Sequence, residues 1–86
     1  MSELFVCNWY DTDCHLEYDG FTSVDKDKSI IQQLLEYVKG DSEVKSIDNY
    51  RIIDNEGLIN YTDTNNKPKF VDFYEMEESE WVKTNH

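Results

Sequence analysis

The chain has 86 residues, with 19 Asp and Glu against 8 Lys and Arg, a formal net charge of −11. That length sets a single domain, 1–86, of modest size, and so much negative charge excludes direct binding to nucleic acid, whose phosphates would repel it. No run approaches the roughly 20 apolar residues of a membrane span, and Met1 to Tyr10 lacks the basic start and apolar stretch of a secretion signal, so a soluble cytoplasmic protein is expected.

High net charge with low hydropathy is also the composition of disordered chains. The apolar content argues for folding: Leu, Ile, Val and Phe make up 21 of the 86 residues, and two Trp and six Tyr add large buriable surface. A core of this size implies marginal stability and repulsion among the carboxylates. The two cysteines, Cys7 and Cys14, are too few for a disulfide framework and read as free thiols. A metal site of Cys7, Cys14, His15 and His86 would lack the paired ligand spacing such sites use, so no metal and no cofactor are expected.

In chain order, Leu4 to Tyr10 reads as a strand, Asp11-Thr12-Asp13 as a turn, and Cys14 to Val24 as a second strand. With Thr12 and Asp13 at the tip, Trp9 falls opposite Leu16 and Cys7 opposite Tyr18. Val6, Asn8 and Tyr10 then share a second, acidic face with His15, Glu17 and Asp19. From Asp25 the period changes, and Ile30, Ile31, Leu34, Leu35 and Val38 form one helical stripe. Asp25, or alternatively Ser23, is the expected N-cap, and Gly40 the expected left-handed stop. The stripe is read as the face that packs on the sheet. A polar linker, Asp41 to Asp48, leads to three extended runs: Tyr50 to Asp54, Leu58 to Thr62 and Lys69 to Glu75. Asp54-Asn55-Glu56-Gly57 suits a type I turn with a Gly bulge, which sets Ile53 opposite Ile59 and Arg51 opposite Tyr61. The last hairpin would pair Tyr61 with Val71 and Ile59 with Phe73, with Pro68 harmless at a strand's start. The tail, 77–86, reads either as a short helix docking Trp81 and Val82 or as flexible, frayed coil. The sum is an α+β fold: a single antiparallel sheet, β-β-α-β-β-β in chain order, packed on one helix, with its other face open.

The charge is unevenly spread. Residues 1–25 hold six acids and no base, 26–53 five of each, and 54–86 eight acids against three bases. Carboxylates two apart on a strand share a face about 7 Å apart, so Asp11/Asp13 and Glu17/Asp19 would form rows loosely like phosphates. Near the end, Asp72, Tyr74, Glu75, Glu77, Glu78, Glu80 and Trp81 interleave acid with aromatic side chains. Such a string is either a solvated end that protects an edge strand or a hot spot for a basic partner. Signals for other chemistry fail on spacing. Counted from Asp11, a calcium loop would need Gly where Leu16 stands and Glu where Thr22 stands. Cys14 and His15, adjacent on a strand, point to opposite faces and form no dyad. Three glycines make no phosphate loop, so an enzyme is not expected.

In length, acidity and Tyr/Trp content, the chain resembles two groups of small inhibitors: phage or mobile-element proteins that imitate DNA, and immunity proteins that cap a basic nuclease toxin. The likeness is one of composition over the whole chain, and no motif carries a functional residue across. It implies an anti-defence inhibitor or decoy that occludes a basic nuclease, repair or defence protein. The partner-binding residues would be Asp11, Asp13, Glu17, Asp19, Asp72, Tyr74, Glu75, Glu77, Glu78, Glu80 and Trp81. The alternative is an acidic accessory or structural interaction domain without nucleic-acid mimicry.

Overall fold

The computed structural model describes residues 2–76. Five strands and one helix follow the expected order: β1 Ser2–Tyr10, β2 Leu16–Asp25, α1 Ile30–Lys39, β3 Val44–Ile53, β4 Glu56–Asp63 and β5 Pro68–Glu75. They form one antiparallel sheet in the order β2-β1-β5-β4-β3, so the first and last strands meet at its centre. β2 and β3 are the two edges. The helix joins one edge to the other, a span of about 19 Å at ~4.8 Å per strand, and ten residues of helix cover about 15 Å of it.

Alternation along the strands sorts the side chains between two faces. Beneath α1 lie Phe5, Cys7 and Trp9 of β1, Val24 of β2, Ile59 and Tyr61 of β4, and Val71 and Phe73 of β5, all buried. Leu34 and Val38 of the helix complete this core, with Ile30, Ile31 and Leu35 packed against it, as the stripe predicts. Trp9 is the anchor: its ring stacks on Tyr18 at 5.0 Å and meets Tyr37 and Tyr61 edge-on at 5.9 and 5.7 Å.

The turns depart from expectation, and each departure has a local cause. In the first hairpin Trp9 pairs with Tyr18 and Cys7 with Gly20, two residues further along than expected. The loop is longer because Asp11 organises it. Its Oδ1 accepts from the Asp13 and His15 N–H groups at 2.9 and 2.8 Å, and Cys14 takes a left-handed φ of 62°. A register shift between Trp9 and Tyr10 then sets Tyr10 opposite Leu16. The β4–β5 loop repeats this design. Asp63 Oδ1 accepts from the Asn65 and Lys67 N–H groups at 2.8 and 2.9 Å, and Asn66 has φ 62°. Asp11-Thr12-Asp13 and Asp63-Thr64-Asn65 are thus twin turns. They are adjacent at one end of the sheet, where the Thr12 hydroxyl donates to the Pro68 carbonyl at 2.8 Å. Ile59 accordingly faces Val71, and Tyr61 faces Lys69.

Between β3 and β4 there is no Gly bulge. Asp54 and Asn55, at φ 51° and 64°, form a two-residue turn whose twist suits a hairpin. That tighter turn flips the expected parity. Ile59 pairs with Tyr50, Leu58 with Arg51, and Ile53 stands 62% exposed, while Ile52 packs toward the core. Gly57 is required here, because a Cβ on it would strike the Arg51 carbonyl. The linker expected to run to Asp48 is already strand from Val44. The N-cap is Ser29, whose hydroxyl accepts from Gln32 N–H at 3.4 Å. Asp25 caps the preceding turn instead, accepting from Asp27 N–H at 2.9 Å. Gly40 ends the helix at φ −71°, outside the left-handed region.

Candidate functional site

The face of the sheet away from α1 carries no helix or strand among the described residues. It is a grid of three cross-strand rows, fixed by the pairing of β2, β1, β5, β4 and β3. One row reads Leu16, Tyr10, Phe70, Asn60, Asn49. The middle row reads Asp19, Asn8, Asp72, Leu58, Arg51, and the third Phe21, Val6, Tyr74, Glu56, Ile53. Tyr10 and Phe70 stack at 4.8 Å, and the Asn60 amide donates to Asn49 at 2.6 Å. Leu16 and Phe21 are 53% and 52% exposed. Two shallow hollows, of about 440 and 600 Å³, lie side by side on this face and share Arg51 and Leu58.

The expected partner-binding residues do not gather on one surface. Asp19, Asp72 and Tyr74 lie on the open face. Asp19 and Asp72 flank Asn8, about 10 Å apart across two strand spacings, and among the described residues no lysine or arginine pairs with either. Burial in this aromatic setting, and secondarily the charge of Glu56, pushes the Asp72 carboxyl above the ordinary carboxylate range. Glu17 and Glu75 belong to the helix side, and each reaches a lysine there. Lys69 Nζ lies 3.1 Å from Glu17 Oε1 and 3.1 Å from the buried Asp63, and Lys26 Nζ lies 3.0 Å from Glu75 Oε1. The bulge beside Leu16 is what parts Glu17 from Asp19, so the expected carboxylate row along β2 does not form.

Asp11 and Asp13 sit in the first of the twin turns. Backbone N–H groups, His15 first and Asp13 next, hold the Asp11 carboxyl below its usual range. Asp11, Asp13 and His15 each bring a ligand atom within 4.8 Å of the others, an exposed group drawn together by the turn itself. Glu77, Glu78, Glu80 and Trp81 lie outside the described residues.

Both thiols are free. Cys7 is buried beneath the helix and its thiol is pushed up to about 12, chiefly by that burial, which keeps it unreactive at neutral pH; Cys14 is exposed at the turn. Sequence reasoning placed Tyr10 on this face with Asp19 but missed Leu16 and Ile53, whose placement there depends on registers set by the loops. It also missed the twin turns, although the shared Asp-Thr-Asx string was legible. No helix among the described residues is long and apolar enough to cross a membrane. In comparisons with protein-family models, with curated proteins and with solved structures, nothing matches this chain.

Proposed function

We propose that this protein is a non-catalytic inhibitor or decoy that occludes a basic, nucleic-acid-handling protein, with the open face of the sheet as its contact surface. The observation that carries the reading is the middle row of that face. Asp19 and Asp72 stand there without a cationic partner among the described residues, bordered by Phe21, Leu16, Tyr10, Phe70 and Tyr74. Acids set between rows of aromatic and apolar anchors suit a surface of Lys and Arg set among apolar groups. The net charge of −11 speeds encounter with such a surface, and the buried aromatics slow departure. We read the compartment as the cytoplasm, where two unpaired thiols stay reduced.

The partner would be recovered from a lysate of the source cells at low salt, identified, and titrated. Its affinity should fall about tenfold or more as screening shortens between about 50 and 200 mM salt. DNA should compete, and the pair Asp19→Asn with Asp72→Asn should weaken binding. An affinity that is flat with salt and indifferent to both substitutions would defeat the reading. The exposure of Leu16, Phe21 and Ile53 favours a second reading, an accessory interaction domain held by apolar contact. In that case Phe21→Ser would abolish binding while salt and DNA left it unchanged.

A further inference from the structure

The two edges of the sheet are built differently. β3 is broken by two register shifts, between Val44 and Ser46 and between Ile47 and Asn49, and carries Lys45 and Arg51. Bulges and basic side chains are the devices that keep an edge from pairing with a further strand. β2, from Tyr18 to Asp25, has none of them: its pairing with β1 is unbroken and it holds no Lys and no Pro.

Gln33 reveals which backbone groups of β2 face outward. Its side-chain oxygen accepts from the Asp25 N–H at 2.9 Å, and its side-chain nitrogen donates to the Asp25 carbonyl at 2.9 Å. The carboxamide thus stands where the peptide group of a neighbouring strand would stand. In an antiparallel strand the N–H and C=O of alternate residues point to the same side. Ser23, Phe21 and Asp19, at even steps from Asp25, therefore turn their N–H and C=O groups away from β1. Among the described residues β2 is the outermost strand, so six backbone groups face outward beyond it, and the register of any added strand stops at Gln33. The side chains of these same three residues all lie on the open face.

We propose that the outer edge of β2, from Asp19 to Ser23, receives an extended, Lys- or Arg-bearing segment of a partner protein, which adds to the sheet as a sixth strand. Charge selects this occupant. Asp19, which pairs with no lysine or arginine among the described residues, lies on this edge, and a second copy would bring its own acids and a net charge of −11 against it. A cross-strand neighbour of Asp19 is best basic, and one of Phe21 best apolar. The added strand thus reads basic and apolar at alternate positions on the open face. This inference rests on the reading of the protein as a binder of basic partners, and it specifies how part of that binding is made.

The test uses the full chain, labelled for NMR, and an end-blocked seven-residue peptide in which threonine alternates with lysine, valine and lysine. Saturation should slow amide exchange at Asp19, Phe21 and Ser23 by about tenfold or more and leave Gly20 and Thr22, already bonded to β1, unchanged. Methylating the peptide's edge-facing nitrogens should cost at least about tenfold in affinity. Ser23→Pro, which removes an outward N–H at a position where an edge strand tolerates proline, should do the same while a thermal melt confirms the fold. Any of four results would overturn the proposal: no perturbation up to millimolar peptide, equal affinity for the methylated peptide, shifts on the open face without slowed exchange at the three amides, or protection that grows with protein concentration alone. The last would identify a second copy as the occupant. If Ser23→Pro still captures the cellular partner in a salt-sensitive way while the edge stays unprotected, the edge proposal fails alone. If the edge is protected but partner binding ignores salt and Asp19→Asn with Asp72→Asn, the decoy reading fails alone.

Discussion

The two faces of one sheet are satisfied to different degrees. Beneath the helix, Phe5, Trp9, Ile59, Val71 and Phe73 are buried to 2% exposure or less, and the acids Glu17, Asp63 and Glu75 each reach a lysine. On the other face Leu16, Phe21 and Ile53 are more than half exposed, and Asp19 and Asp72 have no cationic partner among the described residues. Apolar surface in water and unpaired acid both oppose folding, so these residues are poorly accounted for by stability. What holds the fold is thus distinct from what is available to a partner.

The largest expected effect lies in the core. Trp9→Ala removes the ring that contacts Tyr18, Tyr37 and Tyr61, and should cost about 3–5 kcal/mol by urea unfolding. For a domain of this size that is a large part of the total stability. Phe21→Ser, on the open face, should stay within about 0.5 kcal/mol of the parent. A comparable loss at both positions would make the open face a second structural surface.

Charge pairing on the helix side has the next largest effect. The N–H of Lys67, and then the Lys69 ammonium, hold the Asp63 carboxyl below its usual range. A depressed folded value means that Asp63 contributes stability above the unfolded value of about 4, and that this contribution is lost as pH falls through the folded value. Asp63→Asn should therefore be less stable than the parent at pH 7, with the gap closing below about pH 4. Lys69→Met should also destabilise at pH 7, because it leaves Glu17 and the buried Asp63 without their shared cation. Unfolding midpoints followed from pH 3 to 8 check both, and a gap that persists unchanged into acid would contradict the assignment.

Much of this architecture was legible in the sequence, and the illegible part has one physical origin. The helical stripe from Ile30 to Val38 and the alternating aromatic strands identify an antiparallel sheet under one helix, because burying those apolar periods admits few other arrangements. What the letters concealed was the geometry of the turns. Asp11 and Asp63 each gather two backbone N–H groups onto one oxygen, which lengthens the first loop, sets the last one at 63–67, and slides both registers by two residues. Asp54 and Asn55 both enter the left-handed region and shorten theirs, which turns Ile53 outward and Ile52 inward. Side chains change face with every one-residue slip, so Leu16 and Ile53 reached the open face through the irregularity beside Tyr10 and the Asp54–Asn55 turn, while the two-residue slide at Asp63 left the faces as they were. The acids were visible, but their pairing was not. Lys69 reaches Glu17 and Asp63 only because β2, β4 and β5 bring distant positions to one end of the sheet.

The smallest effect probes the open face where its charge and its aromatic groups meet. Asp72 lies in the middle row between Asn8 and Leu58, with burial raising its carboxyl above the usual range and Glu56 adding to the shift. A raised folded value has the opposite sign from Asp63. The contribution is fully present below the unfolded value of about 4, and it is lost as pH rises through the folded one. Asp72→Asn, neutral at every pH, should therefore be slightly more stable than the parent at pH 7 and no different below about pH 4. The same substitution should weaken capture of a basic partner, since the carboxylate it removes belongs to the acidic row. Greater stability with weaker binding in one variant is the result expected of a residue kept for a partner. Greater stability with unchanged binding would instead leave Asp72 as a tolerated charge, and would shift the weight of the contact to Asp19 and the edge of β2.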